Sequence, residues 1–206
     1  MKKPIRRSPI ALAILALLIR EPMHPYRMQQ LIKERGKDIV INVHHRTSIY
    51  QTIERLLRDE AIQVMQKQRQ PGKPDFTIYT ITDRGKETVY KWLREMLSTP
   101  KDEFFDFPAA ISFLALLPPE EVIKELQKRI SILQTKLENS RKSTKESIAD
   151  GLPRLFLLEI EYQQVLQHAE LMWLKDIVQS IQSHQIWWDR EWLEKIAQKF
   201  TSAEEE

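Results

Sequence analysis

The 206-residue chain contains no cysteine and only 4 glycines. The absence of cysteine excludes a disulfide framework, a thiolate zinc site, an iron–sulfur cluster and a cysteine nucleophile. The glycines form neither a GxGxxG nor a GxxxxGK pattern, so the sequence contains no glycine-rich phosphate loop. What remains is the composition of an ordinary globular protein, with 42% hydrophobic and 30% charged residues.

The chain also lacks an apolar run of about 20 residues, the length that crosses a bilayer. The apolar run at 10–19 follows four basic residues and so imitates the start of a signal peptide. No small-residue cleavage site follows it, and Ser8 before Pro9 is typical of a helix N-cap with proline at the first helical position. We expect a buried helix that ends before Pro22, no membrane segment and a cytoplasmic location; export is the alternative.

Charge is distributed unevenly along the chain, although the total is only +3. Residues 1–98 contain 19 Lys and Arg against 10 Asp and Glu, a net charge of +9. Residues 99–206 contain 13 against 19, a net charge of −6. A basic half joined to an acidic half predicts one module that meets a polyanion and one that does not. With Thr99-Pro100 as a boundary signal, we predict two domains, 1–98 and 99–206.

Local patterns in the first half predict helices and a hairpin. In chain order, the predicted elements are a helix from Ser8, a helix from His24-Pro25 to Gly36, an extended connector or minimal strand at 39–43, a helix at about 46–59, strands at 62–67 and 76–81, and a helix capped by Thr82-Asp83. This order is that of a winged helix-turn-helix. The expected fold class is therefore mostly α with a small β-hairpin wing, followed by an α-helical dimerisation domain.

The third predicted helix has one apolar face and one polar face. Its apolar members Ile49, Ile53, Leu56 and Leu57 fall within a narrow arc. The opposite arc is expected to face solvent and holds hydroxyl, amide and guanidinium groups: Thr47, Ser48, Gln51, Arg55 and Arg58, with Tyr50 at its border. Such groups can bond base edges and phosphates in a major groove, although any solvated helix can present a similar face.

The turn of the predicted hairpin is basic. Pro71-Gly72 marks the turn, and Lys67, Arg69 and Lys73 cluster around it. A positively charged hairpin suits a phosphate backbone or a minor groove, whereas a solvated loop is the simpler alternative. The residues that we predict to bind DNA are Thr47, Ser48, Tyr50, Gln51, Arg55, Arg69 and Lys73.

Four spaced motifs are similar to those of a known protein family. They are MHPYRM at 23–28, TSIYQ at 47–51, RLLRDEAI at 55–62 and IYTITDRG at 78–85. Over about residues 8–97 the chain resembles the PadR family of bacterial transcriptional regulators. Pro25, Gln51 and Ala61 stand where that family has glycine, proline and glycine. The resemblance implies that the third helix and the wing bind operator DNA, usually in a repressor.

The second half predicts a short helix and two long ones. The apolar segment 104–117 predicts a short helix buried on several sides, and 141–150 is expected to be a polar connection. The helix after Pro118-Pro119 has a coiled-coil-like seam of Ile123, Leu126, Ile130, Leu133 and Leu137. The helix from about Pro153 has a similar stripe of Leu155, Leu158, Tyr162, Val165, Ala169, Met172, Asp176 and Ile177.

Two long helices with such narrow apolar stripes cannot bury themselves fully as a single hairpin. We therefore predict a homodimer through these carboxy-terminal helices, as the family resemblance also implies. A two-fold dimer matches an inverted-repeat operator in double-stranded DNA, whose half-sites lie about 34 Å apart.

The second half is also rich in aromatic residues that could line a pocket for a flat organic molecule: Phe156, Tyr162, Trp173, Trp187, Trp188 and Trp192. The family resemblance implies a small phenolic or hydrophobic effector. The alternative is that these aromatic side chains fill the core or the dimer interface.

Two other classes of protein compete with this interpretation. An enzyme is disfavoured, because the five histidines form no HExxH pattern and the chain has no GxSxG. We predict no catalytic residues, no metal site and no cofactor. A helical scaffold that binds another protein, with only non-specific affinity for DNA, is the second alternative.

Replacing both Arg69 and Lys73 with alanine should weaken binding to every duplex, because phosphate contacts do not depend on sequence. The slope of log affinity against log salt concentration should also flatten. Fluorescence anisotropy with specific and random duplexes at several salt concentrations measures both quantities. An unchanged affinity and slope would exclude the wing assignment.

Overall fold

The computed structural model describes residues 5–43, 46–68 and 76–201. The chain divides into two compact units, Met1–Asp102 and Glu103–Glu206. The first unit contains, in order, α1 (Pro9–Arg20), α2 (Pro25–Glu34), a 3₁₀ turn (Lys37–Ile39), α3 (Arg46–Arg58), β1 (Ile62–Gln68), β2 (Phe76–Ile81) and α4 (Asp83–Ser98). The second contains α5 (Asp106–Ser112), a 3₁₀ turn (Leu114–Leu116), α6 (Pro119–Ala149), a 3₁₀ turn (Arg154–Leu157), α7 (Leu158–Gln182) and α8 (Arg190–Thr201). The predicted fold class is confirmed.

The predicted capping signals start α1, α2 and α4 of the first unit. The Ser8 hydroxyl oxygen accepts a hydrogen bond from the Ala11 amide at 3.3 Å, with Pro9 opening α1. The Thr82 hydroxyl likewise accepts from the Gly85 amide at 3.1 Å. His24 performs the same task for α2, because its ring Nδ1 accepts from the Tyr26 amide at 3.1 Å. Each cap satisfies an amide that the helix itself leaves without an acceptor.

The connector after α2 differs from the prediction. The segment 39–43 is expected to be extended, but its first residue belongs to the 3₁₀ turn and the Val40 and Ile41 amides both donate to the Lys37 carbonyl oxygen. Gly36 begins this turn in the left-handed region, with φ of 62°. β-branched residues favour extended backbone only weakly, and a local turn set by the preceding glycine overrides that preference.

The hairpin is a two-stranded antiparallel sheet that pairs Ile62 with Ile81 at one end and Gln68 with Phe76 at the other. A β-bulge falls between Val64 and Gln66. The base of the hairpin is also tied to the connection between α1 and α2. There Met23 and Tyr79 exchange two backbone hydrogen bonds of 3.1 and 3.2 Å.

The core of the first unit surrounds α1. Residues from every helix and both strands of the unit are buried in it: Ala11, Ile14, Leu15, Leu18, Met28, Leu31, Ile32, Ile49, Ile53, Leu56, Ile62, Ile81, Val89 and Trp92. The helix α1 is apolar on most of its circumference, which is the pattern of a helix packed on several sides.

In the second unit, α6 and α7 form an antiparallel hairpin. Its apolar seam is formed by Leu133, Leu137, Leu171 and Leu174, and Val122 and Ile181 pack with Trp188 nearby. Nearer the tip of the hairpin the seam becomes polar. There the Gln164 side-chain amide donates to the hydroxyls of Ser140 and Thr144 at 2.9 and 3.0 Å.

The prediction of a connection at 141–150 is wrong, because α6 continues through these residues to Ala149. The segment holds neither proline nor glycine, and its lysine, arginine and glutamate residues tolerate a helix well. The first helix-ending signal is Gly151, which lies in the left-handed region with φ of 85°.

One expectation about burial in the second unit is also wrong. The segment 104–117 forms the short helix α5 and a 3₁₀ turn, but none of their residues is buried, and Phe104 and Leu116 are 98% and 83% exposed. In α7, the buried residues are Leu171, Leu174, Val178 and Ile181, whereas most of the predicted stripe is exposed. A single α6–α7 hairpin offers only one inner face, so the other apolar surfaces stay outside.

Among the described residues, no helix combines the length and the apolar character needed to span a membrane.

Gly85 lies at the tightest backbone approach of the first unit. A Cβ atom at this position would overlap the carbonyl oxygen of Ala61 and lie 2.6 Å from Cγ1 of Ile81. We expect Gly85→Ala to lower the free energy of unfolding by roughly 1–3 kcal/mol, because the Ala61 backbone cannot rotate away. Urea denaturation followed by circular dichroism measures this change. Glu87→Ala, an exposed change on the same helix, is the matched control and should have little effect.

Candidate nucleic-acid interface

The exposed face of α3 carries several of the predicted DNA-binding side chains. Thr47, Tyr50 and Gln51 are exposed, and Ser48 is half-buried. The Ser48 carbonyl oxygen accepts a hydrogen bond from the buried Thr52 hydroxyl at 2.7 Å, which holds the first turn of the helix. The structure therefore brings three of the predicted residues together on an open surface, with a fourth at its edge.

This face is fixed from behind by the packing of α3. Ile49, Ile53 and Leu56 are each at most 1% exposed and hold the inner side of the helix in the core. In addition, the side-chain amide of the buried Gln29 on α2 donates to the Val43 carbonyl oxygen at 3.0 Å. This bond anchors the turn between α2 and α3. Sequence reasoning missed Gln29, because no local spacing pairs a glutamine with a carbonyl 14 residues away.

Arg55 is not directed towards solvent as expected. Its side chain is half-buried, and its Nη2 donates to the Ser8 hydroxyl oxygen, at the start of α1, at 3.3 Å. Its Nε is buried and has no hydrogen-bond acceptor among the described residues. Arg55 lies at the flank of the polar arc, where its long side chain reaches back to α1. Arg58, by contrast, is exposed at the end of α3.

An acidic residue of this surface escaped the sequence analysis. Glu54 is exposed on α3 one turn after Tyr50. Burial raises the pKa of the Tyr79 hydroxyl on β2, a hydrogen bond with Thr77 opposes this shift, and the charges of Tyr50 and Glu54 add to it. A carboxylate at such a position can accept a hydrogen bond from cytosine N4.

The hairpin stands beside the start of α2. The Phe76 ring stacks on the His24 imidazole with centroids 4.6 Å apart and an angle of 4° between the ring planes. Lys67 is exposed near the end of β1. Arg69 and Lys73, the predicted wing contacts, lie outside the described residues.

The corner between α3 and β1 has an unusual backbone. Glu60 adopts the left-handed conformation with φ of 57°, and its carboxylate lies 3.7 Å from Arg84. The position that would favour glycine for its conformation is therefore Glu60, and not the neighbouring Ala61, which is fully buried.

Across the described parts of the chain, no group of three or more histidine, aspartate and glutamate residues is placed to hold a metal ion.

Three helices, a tied hairpin and an exposed polar helix face define the amino-terminal unit as a winged helix-turn-helix. The comparison with protein families agrees: residues 14–91 match the model of the transcriptional regulator PadR-like family. A search of curated protein sequences finds no significant match.

Solved structures show the same fold over nearly the whole chain. Bacillus subtilis PadR in complex with operator DNA is 21% identical to this chain, with a TM-score of 0.67. The alignment covers 87% of this chain and 99% of the PadR chain. The same protein in complex with p-coumaric acid is 20% identical with a TM-score of 0.61, covering 86% and 99%. The Vibrio cholerae virulence activator AphA is 12% identical with a TM-score of 0.64, covering 85% and 99%.

His24 should make the stability of the first unit depend on pH. Burial lowers the pKa of its imidazole below the usual 6.5. The unfolded chain therefore takes up the proton first as the pH falls, so stability present above pH 6.5 is lost as the pH drops through the lowered value. Protonation of Nδ1 would also remove the acceptor that caps α2.

We expect His24→Asn to keep a helix cap and lose this titration. Between pH 7.5 and 5 the unfolding free energy of the native protein should fall relative to that of the variant. Urea denaturation at a series of pH values measures the difference. Parallel curves for the two proteins would contradict the prediction, and Phe76→Ala, which uncovers the His24 ring, should reduce the pH dependence.

Proposed function

We propose that the chain is a dimeric, sequence-specific DNA-binding regulator that represses transcription and is released by a small hydrophobic effector. The observation that carries this proposal is the exposed polar face of α3, held by a buried inner face and set beside a hairpin in a unit of net positive charge. The fold shared with Bacillus subtilis PadR, whose structure contains operator DNA, supports the same reading.

In this proposal the α3 residues contact different parts of the DNA. Gln51 and Tyr50 are exposed at the centre of the face and contact base edges, while Thr47 and Ser48 at the start of the helix contact the groove wall or phosphates. Arg55 keeps guanidinium donors beyond the one bound to Ser8, so it contacts a phosphate beside the start of α1. Arg69 and Lys73 hold the flanking backbone through the wing.

The homodimer is part of the proposal because one recognition helix reads only one half-site. Two copies related by a two-fold axis would match an inverted repeat. Once the DNA-binding unit of one copy is bound, the link to the other copy raises the effective concentration of its DNA-binding unit at the second half-site. The support lies in the second unit, where long apolar side chains beside α5, such as Phe104, Phe105 and Phe113, and others on α7 stay uncovered within a single chain.

The effector is proposed from chemistry and from one structural relative. Bacillus subtilis PadR has been solved with p-coumaric acid, a flat phenolic acid. In this chain, Trp187 and Trp192 are partly exposed and meet edge to face, with centroids 6.5 Å apart. Trp188, in contrast, is buried and donates to the Leu117 carbonyl oxygen at 3.0 Å, which is a structural role. The Trp187–Trp192 pair is the better candidate for contact with an aromatic ligand.

DNA binding and footprinting test the proposed function directly. The purified protein is titrated with its own upstream DNA, with a tiled set of genomic fragments and with random duplex at two salt concentrations. Specific protection of an inverted repeat supports the proposal. Failure to bind any duplex at low salt would exclude it and favour the scaffold interpretation.

Gln51→Ala should change sequence preference more than overall affinity. A glutamine amide that pairs with an adenine edge discriminates that base by about 1–3 kcal/mol, which corresponds to about a fivefold to 150-fold preference. Selection from a randomised duplex library shows whether the preference at one base pair per half-site disappears. Lys91→Ala, an exposed change on α4, is a control that should leave the selected sequence unchanged. An unaltered sequence logo for Gln51→Ala would remove this residue from base recognition.

A further inference from the structure

Glu54 lies at the centre of the outward face of α3. The buried side chains of Ile49, Ile53 and Leu56 define the inner side of this helix. At about 100° per residue, four exposed residues fall within about 60° of one another on the opposite side: Thr47, Gln51, Glu54 and Arg58. The Glu54 carboxylate therefore leaves the helix in nearly the same direction as the Gln51 amide, which we propose to contact base edges.

A carboxylate is unusual on a surface that is proposed to meet DNA. Residues 1–98 carry a net charge of +9, whereas a negative side chain is repelled by the phosphate backbone. Arg58 follows four residues later, but among the described side chains no cation forms an ion pair with the Glu54 carboxylate. Its charge therefore lowers the affinity for DNA unless a hydrogen-bond donor of the DNA meets it.

The donors that the bases present in the major groove are the amino groups of cytosine and adenine. Guanine and thymine present the acceptors O6, N7 and O4 there, which repel a carboxylate. Adenine carries its acceptor N7 beside the amino group, whereas the groove edge of cytosine has no acceptor. Cytosine is therefore the base that a carboxylate fits best.

We propose that Glu54 is a specificity-determining residue, whose carboxylate accepts a hydrogen bond from the N4 amino group of a cytosine in each half-site. This inference rests on the proposed function and adds a base preference to it. Glu54 follows Gln51 by three residues, a rise of about 4.5 Å along the helix. Successive base pairs are about 3.4 Å apart. The two side chains therefore contact neighbouring base pairs.

The carboxylate discriminates by repulsion as well as by attraction. If thymine replaces the cytosine, its O4 places an acceptor opposite the carboxylate, and neither group can supply a proton. A random duplex therefore meets an uncompensated negative charge that the operator compensates. Glu54 widens the gap between specific and non-specific affinity, which is the quantity that matters for a regulator among many competing sites.

Selection from a randomised duplex library tests this base preference. The full-length native protein is compared with Glu54→Gln, Glu54→Ala and Glu87→Gln. Glu87 is exposed on α4, so Glu87→Gln removes the same charge from the same unit outside the proposed contact. The native protein and Glu87→Gln should both select a cytosine at one position of each half-site. Glu54→Gln should select adenine there, because a glutamine amide pairs with N6 and N7, and Glu54→Ala should select no base there.

Three results of this selection would overturn the inference. They are an unchanged motif in both Glu54 variants, a change confined to a guanine or thymine position, and loss of the whole motif with an intact circular dichroism spectrum, which would indicate a structural role. If the native protein itself selects no motif, the proposed function fails as well. Failure of the inference alone is therefore distinguishable from failure of the proposed function.

Removal of a single amino group from the DNA tests the contact itself. In a synthetic duplex, 2-pyrimidinone, which lacks the 4-amino group, replaces the selected cytosine. Fluorescence anisotropy should show that the native protein loses about fivefold to 150-fold in affinity, the range for a specific base contact. Glu54→Ala should bind the two duplexes equally, because it has no acceptor for the amino group. Equal losses for both proteins would overturn the contact, since they would arise from the weaker base pair.

Discussion

The burial of α1 is the interaction on which the amino-terminal unit depends. Its residues Ala11, Ile14 and Leu15 are fully buried and contact elements on several sides, including α3, α4 and β2. Because α1 is surrounded, the apolar face of α3 packs against it, and the polar face of α3 is left to face outward. The hydrogen bond from Arg55 to Ser8 adds a polar link between the same two helices. The geometry of the exposed α3 face is therefore a consequence of core packing.

The sequence predicted those features of this unit that are set by local chemistry. Caps such as Ser8 and Thr82 and the apolar period of α3 depend on residues within a turn or two, so the helix starts and the exposure of Tyr50 and Gln51 follow from reading the chain. What escaped depends on distant partners. Arg55 turns towards a hydroxyl 47 residues away, and Gln29 binds a carbonyl across a turn. Helical periodicity predicts the direction in which a side chain leaves the helix, but it does not predict the partner that the end of a long side chain contacts.

The second unit shows a different limit of sequence reasoning. Apolar periodicity correctly marked α6 and α7 as long helices that bury side chains, but α7 has two apolar faces and the pattern does not say which of them faces α6. The structure buries Leu171 and Leu174 there and leaves Tyr162 and Val165 outside. The segment 104–117 is a second apolar region that a single chain leaves exposed. Apolar residues that are exposed in one chain can be buried in the functional assembly, and one chain is only part of the proposed assembly.

The proposed regulation has to act between the two copies of the DNA-binding unit. Within one unit, the wing and the start of α2 are joined by the Met23–Tyr79 hydrogen bonds and by the stack of His24 on Phe76. These contacts join the start of α2 to the base of the wing, so we place the proposed regulation between two copies and not within one unit. In the proposed dimer, the distance between the two copies of α3 is different, because it depends on how the two copies pack against each other. A ligand alters DNA affinity only through a preference for one of these arrangements. In this proposal, an effector that binds the helical unit releases DNA by changing the geometry of the dimer, while the DNA-binding unit of each copy keeps its own shape.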